Sequence, residues 1–541
     1  MSFFSPLASR FSLRNFLERI HPYRIAFVSG LLLAIAINYP AHLWWILLVA
    51  FVPLLYRMRS IEKRVAWKAS LIFGTAFMGG VIWWFTSVYP LDWLHIESPV
   101  LSWMLIFIAW ALAAIFLGIF PALWMFIASR TKGDVFASFL FLPALWVMLE
   151  YARAFAFSLL FFGEESLVGP HYAFGFLGPT LLWFTPLSAI ASVGGMALLG
   201  FIAIAWNLFW LIHLERGVFR KSLHRALLFM LLLIVPFLFS YFFTHHNEEE
   251  DLHLALIHTH FPPDTLDREP ERLIHIQGLI ETIAKQSPLP DIIILPEDSR
   301  FLFYLEKNAL TEEYLKRLFG DREILLIDSA RSVRNGALSS FITTYNTKTK
   351  DALFYQKNLL VPQGEYTPLV VDFLSSLAEN SNWRNTIQEE RGYARGKNLV
   401  VSPVGEASVG SLLCSEIYSP LLYRKLTRDR GATLLVNLSS HALFNNSDIL
   451  SHQVLSFAKA HALENNRFFI QAGDNAPSYV IDNQGRILTF SEKQGDRILF
   501  GSVRSIREPS LYSRVEPWLL SFFCFMIIIY FFHGKALNRK T

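Results

Sequence analysis

The sequence predicts a multi-pass α-helical membrane domain of about eight transmembrane helices that carries a polar α/β domain. Three observations predict it. The 541 residues are 53% hydrophobic and only 17% charged, with a mean hydropathy of +0.36, too apolar for a soluble enzyme. The apolar residues gather in runs near crossing length. The charged residues instead concentrate between about 245 and 517, marking that stretch as a water-soluble unit of ordinary domain size.

The apolar runs lie at roughly 25–39, 41–56, 69–89, 98–128, 134–162, 181–213, 226–244 and 517–533. A crossing helix needs about 20 residues. The run at 98–128 therefore counts as one span, because either half would be too short after a turn. Basic residues alternate along these runs. Arg10, Arg14, Arg19 and Arg24 precede the first; Arg57, Arg59, Lys63, Arg64 and Lys68 follow the second; Arg130 and Lys132 follow the fourth. Arg216, Arg220, Lys221 and Arg225 follow the sixth, and Lys535, Arg539 and Lys540 close the chain, whereas the connections at 40, 90–97 and 163–180 hold no Lys or Arg. By the positive-inside rule both termini are expected in the cytoplasm, and the polar domain, after seven spans, outside. The expected division is a transmembrane domain of about seven helices at 1–245, the polar domain at 246–510, and a last helix with its tail at 511–541. The net charge of +4 is then an orientation signal, which argues against nucleic-acid binding. The first run lacks a small-residue cleavage site, so no cleaved signal peptide is expected.

Within the membrane part, Glu150 and Arg153 sit three residues apart in ALWVMLEYARAF. Charge at bilayer depth is costly, and a structural ion pair near a helix end is the favoured reading. The connection SLLFFGEESLVGPHYAFGFLGP reads as an aromatic loop at headgroup level, with Glu164 and Glu165 solvated. In the polar part, apolar runs at 252–258, 291–297, 323–329 and 432–439 alternate with helix-length segments at 268–285, 311–319 and 448–465, the rhythm of a layered α/β domain. SSFITTYNT, DALFYQKN, NLVVSPVG and SVGSLLCSE read as further strands, and Asn335-Gly336 and Asn483-Gln-Gly485 as turns. No phosphate loop is visible. His258 and His260 alternate on one strand without further ligand candidates, so no metal or other cofactor is expected.

Three residues carry the chemistry. Glu297 ends a strand in ILPEDSR, Lys357 leaves one in FYQKNLLVPQGEYTP, and Cys414 ends one in SLLCSE. Functional groups gather where strands give way to loops. A thiol is nucleophilic only as thiolate, so it needs a proton acceptor and a nearby positive charge. The carboxylate supplies the first and the ammonium the second, and Lys357 together with the backbone N–H after Cys414 suits an oxyanion. Taken singly, each residue also reads as structure: a packed thiol, a solvated Lys, a solvated Glu.

The ordered motifs LPE, K..LVP.GEY.P and C.E, 60 and 57 residues apart, resemble the carbon-nitrogen hydrolase (nitrilase) superfamily with its Glu-Lys-Cys triad. HALENNRFFIQAGDNAPSYVIDNQGRIL is similar to that superfamily's downstream helix, strand and hairpin. Seven spans before such a domain and one after it resemble the bacterial apolipoprotein N-acyltransferase family over nearly the whole chain. The resemblance implies a nitrilase-like four-layer αββα sandwich on a helical membrane base, with Glu297 as general base, Lys357 as transition-state stabiliser and Cys414 as nucleophile. It further implies that Glu365 orients Lys357 or assists proton transfer and that Glu416 steadies the site, loop structure being the alternative for both. The implied activity is transfer of a fatty acyl chain from a phospholipid, through a cysteine thioester, to the α-amine of the diacylglyceryl-modified cysteine of an apolipoprotein, the final step of lipoprotein maturation. The implied place is the bacterial inner membrane, with the catalytic domain in the periplasm. A membrane-tethered amidase or nitrilase using the same triad, and a non-enzymatic scaffold, stay open. The chain departs from the family pattern in three places: Ser415 stands where an aromatic residue often follows the nucleophile, Leu443 where tryptophan is common, and Asn445 where glycine is common.

Overall fold

The computed structural model describes residues 21–94, 96–131, 137–216, 251–261, 269–334, 336–377, 392–491 and 494–538. The first part is helical: α1 (Pro22–Asn38), α2 (Phe51–Met58), α3 (Lys63–Val81), α4 (Pro99–Arg130), α5 (Leu142–Leu160) and α6 (Thr185–Arg216). Among the described residues five segments are long and apolar enough to cross a bilayer, Pro40–Met58, Pro99–Arg130, Phe139–Leu160, Thr185–Glu215 and Leu511–Tyr530, so the chain is an integral membrane protein. The other three expected runs fare differently. α1 is apolar but has only 17 residues. The run at 69–89 is broken, because α3 ends at Val81 and the chain tightens into a 3₁₀ stretch, Trp83–Val88. The run at 226–244 lies outside the described residues.

The run at 98–128 is one helix, α4, which continues through Pro121. α3 crosses α4 at two glycines. A Cβ on Gly74 would lie 2.0 Å from the Gly118 carbonyl oxygen, and one on Gly118 would lie 2.7 Å from the Gly74 carbonyl carbon, so the backbones touch as small-residue membrane crossings do. At one end of the bundle Arg59 pairs with Glu215 at 2.7 Å and Arg130 donates to the carbonyls of Ile61 and Met58. These basic residues therefore stitch helix ends together. Glu150 and Arg153 are both buried. Each bonds to backbone instead of closing directly on the other: Glu150 accepts from Leu177 N–H at 2.9 Å and Arg153 donates to the Phe174 carbonyl at 2.7 Å.

The polar part contains two six-stranded sheets. The strands are β1 (Asp251–His258), β2 (Ile292–Ile294), β3 (Leu325–Arg334), β4 (Ala337–Asn346), β5 (Ala352–Gln356), β6 (Val401–Val404), β7 (Ala407–Leu413), β8 (Leu434–Ser440), β9 (Phe468–Asp474), β10 (Ser478–Ile481), β11 (Ile487–Ser491) and β12 (Arg497–Arg504). One sheet has the order β12-β1-β2-β3-β4-β5, the other β11-β10-β9-β8-β7-β6. Helices α7 (Glu269–Ile283), α8 (Phe301–Lys307) and α9 (Thr311–Phe319) cover the first sheet. α10 (Leu369–Leu377) follows β5; α11 (Leu422–Arg430) and α12 (Asp448–Asn465) flank the second sheet; and α13 (Leu511–Asn538) returns to the membrane. The pleat sorts side chains as period-two alternation demands. In β1, Ala255 and Ile257 pack towards α7–α9, while Leu254 and Leu256 face the sandwich interior. The interior belongs to one apolar cluster that runs on into the membrane helices. The layers are the αββα sandwich, and every run expected as a strand or helix in this part is one.

α12 lies between the sandwich and the bundle and binds the bundle through polar side chains. Gln453 donates to Asn38 Oδ1 and to the Val81 carbonyl, both at 2.8 Å, and Ser456 accepts from Trp183 Nε1 at 2.9 Å. At its far end Glu464 accepts from Met196 N–H at 2.7 Å, a group freed where α6 breaks at Gly195, φ +62°.

Candidate active site

Topology brings the three chemical residues to one rim. β2 and β3 run parallel, and two antiparallel steps through β4 return β5 to the same direction. Glu297, just past β2, and Lys357, just past β5, therefore leave the first sheet at the same end. In the second sheet β7, β8 and β9 are mutually parallel, and Cys414 directly follows β7. Its φ is +43°, a left-handed conformation that costs a non-glycine residue about 1–2 kcal/mol. That turn ends the strand abruptly and starts a 3₁₀ helix, Cys414–Tyr418, holding the thiol out from the strand end as strained nucleophile turns do.

Ser440 joins the two sheets' contributions. Its backbone N–H donates to Glu297 Oε2 at 2.8 Å, and its carbonyl is 3.7 Å from Cys414 Sγ. Ser439 Oγ lies 3.8 Å from the same sulfur. Lys357, 1% exposed, is paired with Glu365 Oε1 at 2.9 Å. Glu365 holds its other oxygen on Val361 N–H at 2.8 Å. Glu416 takes no part in this cluster. It is fully buried and accepts from Tyr355 Oη at 2.6 Å, Asn358 N at 2.9 Å and Leu359 N at 3.1 Å through one oxygen, and from Leu413 N at 2.8 Å through the other. It thus ties the strand end before Cys414 to the loop after Lys357.

The charges are strongly coupled. Burial pushes the Cys414 thiol up to about 12, the Glu297 charge pushes the same way, and Lys357 opposes both. Burial also raises the Glu297 carboxyl, while Lys357 and Arg331 hold it back. For Lys357 burial acts downwards, yet the carboxylates of Glu365 and Glu297 outweigh it and keep the ammonium charged. The thiol rests neutral beside the Lys357 ammonium, and burial draws the Glu297 carboxyl towards its neutral form. Such a thiol reacts only when the carboxylate takes its proton as the sulfur attacks.

The floor of the site comes from the membrane part. The connection at 163–180 is buried under the site from His171 onwards. Tyr172 Oη donates to the Leu360 carbonyl at 2.7 Å, Ala173 N–H to the Tyr418 carbonyl at 3.2 Å, and His171 Nδ1 meets Ser419 Oγ at 2.8 Å. Glu165 accepts from Arg395 N–H at 2.8 Å. From His171 onwards the loop is a protein-facing support and Glu165 is bonded, which corrects its reading as a lipid-level loop for that part, whereas Glu164 is exposed as expected. Sequence reasoning also missed Tyr355, Ser440 and Arg331. Tyr355 had a signal, since it stands two residues before Lys357 and so on the same strand face. His258 meets Ser478 Oγ at 3.0 Å, and no cluster of metal-ligating residues occurs among the described residues.

Two family models match the chain, the apolipoprotein N-acyltransferase N-terminal domain over residues 29–209 and carbon-nitrogen hydrolase over residues 266–506. A protein of Geobacter metallireducens named apolipoprotein N-acyltransferase is 24% identical over 513 residues, 91% of each chain. Its namesake from Aquifex aeolicus is 27% identical over 414 residues, 74% of this chain and 85% of that one. The chain belongs to the apolipoprotein N-acyltransferase family. A solved carbon-nitrogen hydrolase superfamily protein from Xanthomonas campestris covers 50% of this chain and 97% of its own at TM-score 0.35 and 14% identity, a likeness too loose to carry weight.

Against the acyltransferase family's usual pattern, the departures have local accounts. Ser415 Oγ donates to the Leu359 carbonyl at 3.0 Å, a backbone tie in place of an aromatic side chain. Asn445 keeps the left-handed backbone that glycine would favour, φ +44°, a conformation Asn tolerates. Its side chain donates to the carbonyls of Ser87 at 2.8 Å and Tyr89 at 2.6 Å. The next-door Phe444 packs edge-on against Trp84, ring centroids 5.2 Å apart. Leu443 is 39% exposed, and nothing in the structure explains its replacing tryptophan.

Proposed function

We propose that the chain is a phospholipid:apolipoprotein N-acyltransferase of the bacterial inner membrane, working by a two-step transfer through Cys414. In the first step Glu297 takes the thiol proton as the sulfur attacks the ester carbonyl of a phospholipid. Lys357 and the Ser415 backbone N–H stabilise the oxyanion. Collapse expels the glycerol alkoxide, which takes the proton from Glu297, so a lysophospholipid leaves and a thioester remains. In the second step the free α-amine of a diacylglyceryl-cysteine attacks the thioester, Glu297 receives the amine proton and passes it to the departing sulfur, and an amide is formed. Glu365 keeps Lys357 in place and Glu416 acts through backbone geometry. No metal or organic cofactor enters, since the thioester stores the acyl group.

The observation that carries this reading is the site's floor. A thiol, a carboxylate and an ammonium lie above a loop contributed by the membrane part, over an apolar cluster continuous with the membrane helices. Both lipid substrates reach such a site sideways without leaving the bilayer, and the apolar surroundings favour an amine over water as the second nucleophile. The proposed arrangement has eight spans, divided at 1–245, 246–510 and 511–541, with the catalytic domain in the periplasm and both termini in the cytoplasm. Intact mass spectrometry of the purified protein tests the reading. A phospholipid-derived acyl adduct on Cys414, stable in water and discharged by a diacylglyceryl lipopeptide, is expected. Discharge by water alone supports a tethered amidase instead, and absence of any adduct rejects both.

A further inference from the structure

A cavity of about 470 Å³ opens on the flank of the polar part, lined by Arg428, Arg467, Arg507 and Arg514 against one carboxylate, Glu406. It lies away from the reaction. Ser408, at the start of β7, also lines it, whereas Cys414 follows the end of that strand. Extended chain advances about 3.3 Å per residue, which puts about 20 Å between the two.

The arginines are presented, not scattered. Arg467 is buried and donates to the carbonyls of Ala432 at 2.8 Å, Asn466 at 3.0 Å, Glu508 at 2.7 Å and Arg507 at 2.9 Å, which fixes its guanidinium in the wall. Arg507 pairs with Glu406 at 3.0 Å and Arg428 with Asp429 at 2.7 Å, both partly exposed to water. Arg514 is exposed and makes no ion pair among the described residues. The cavity therefore keeps an excess of positive charge, with the Arg514 guanidinium left free to grip two oxygens of one anion.

Its level in the membrane narrows the ligand. Arg514 belongs to the first turn of α13, whose segment Leu511–Tyr530 is long and apolar enough to cross a bilayer. One turn further Trp518 is 75% exposed, and Phe522 and Phe525 continue the same outward apolar surface. A basic cavity directly above a lipid-facing aromatic surface sits where phosphates begin. We propose that this cavity binds a phosphate-bearing anion, either the headgroup of a phospholipid whose chains lie along α13 or free phosphate, separately from the reaction centre. The proposal rests on Leu511–Tyr530 crossing the membrane and not on the acyl-transfer reading.

The test uses full-length Cys414→Ala protein, which gives the same answer whether or not Cys414 carries acyl groups, with and without the pair Arg428→Gln and Arg514→Gln. Native mass spectrometry follows retention of phosphatidylglycerol. The parent is expected to hold one lipid more than the variant, with half-retention at roughly tenfold lower lipid. Displacement of that lipid by millimolar inorganic phosphate identifies the free anion as sufficient; resistance identifies the headgroup. Arg514→Lys, which keeps the charge but not the fork, is expected to retain lipid partially and guards against misfolding of the double variant. Equal retention by parent, double variant and Arg514→Lys overturns the proposal.

Discussion

Cys414 occupies a strained backbone conformation beside a carboxylate that is itself raised by burial, and both facts have measurable consequences. Glu297 must be ionised to accept the thiol proton. Because burial raises its value, acyl-enzyme formation fails as pH falls through a point above the ordinary 4.5. The rate of Cys414 acylation against pH is expected to show that acid limb. Glu297→Gln is expected to remove it together with at least about 100-fold of the rate, the scale of general-base catalysis. The same shift has a stability sign. An acid whose folded value is raised favours folding in its protonated form, so that stability is fully present below 4.5 and is lost as pH rises through the folded value. Glu297→Gln is therefore expected to raise the unfolding midpoint at neutral pH while destroying activity, and a thermal melt beside the acylation assay checks both. At Asn445 the expectation concerns attachment. Asn445→Gly keeps the backbone but loses two hydrogen bonds to the Ser87–Tyr89 loop, about 0.5–1.5 kcal/mol each, and is expected to increase hydrogen exchange in both segments without changing the Cys414 acylation chemistry.

At the scale of elements, the turn after β7 is held by Glu416. Its four donors come from the end of β7, from Tyr355 within β5 and from the loop after β5, so Glu416→Gln turns one acceptor into a donor facing a backbone N–H. That loss costs about 1–3 kcal/mol, equivalent to about 5- to 150-fold in acylation rate if the distortion reaches the thiol. The expected signature is a lower rate constant with the acid limb of the pH profile unmoved, because Glu297 is untouched. The elements themselves were legible in the sequence wherever a period ran long enough. Runs with Ile, Leu and Val at 252–258 and 432–439 became strands, and α12 covers the residues expected of it. The proposed triad could be singled out because each member lies just past the end of a strand. What stayed hidden depends on contacts between distant segments. Nothing near residue 440 announces that its backbone touches both Glu297 and Cys414. Nothing in an aromatic loop at 163–180 says that its residues from His171 onwards will be buried against protein. The broken run at 69–89 was hidden for a local reason, since hydropathy reads through a change from α to 3₁₀ geometry without registering it.

For the molecule as a whole, orientation is the open expectation that a single labelling decides. Asp351, at the turn before β5, is exposed; in a background lacking other cysteines, Asp351→Cys is expected to react with a membrane-impermeant maleimide in intact spheroplasts. Protection there, with labelling only after lysis, would reverse the proposed orientation.

The apolar cluster described above runs from the helices into the sandwich, and α12, packed on the second sheet, is hydrogen-bonded to the helices. Melting either half should drag the other with it, so calorimetry of the detergent-solubilised protein should record one cooperative transition. Trimming the anchors away would leave a greasy wound on the remainder rather than free a water-loving enzyme.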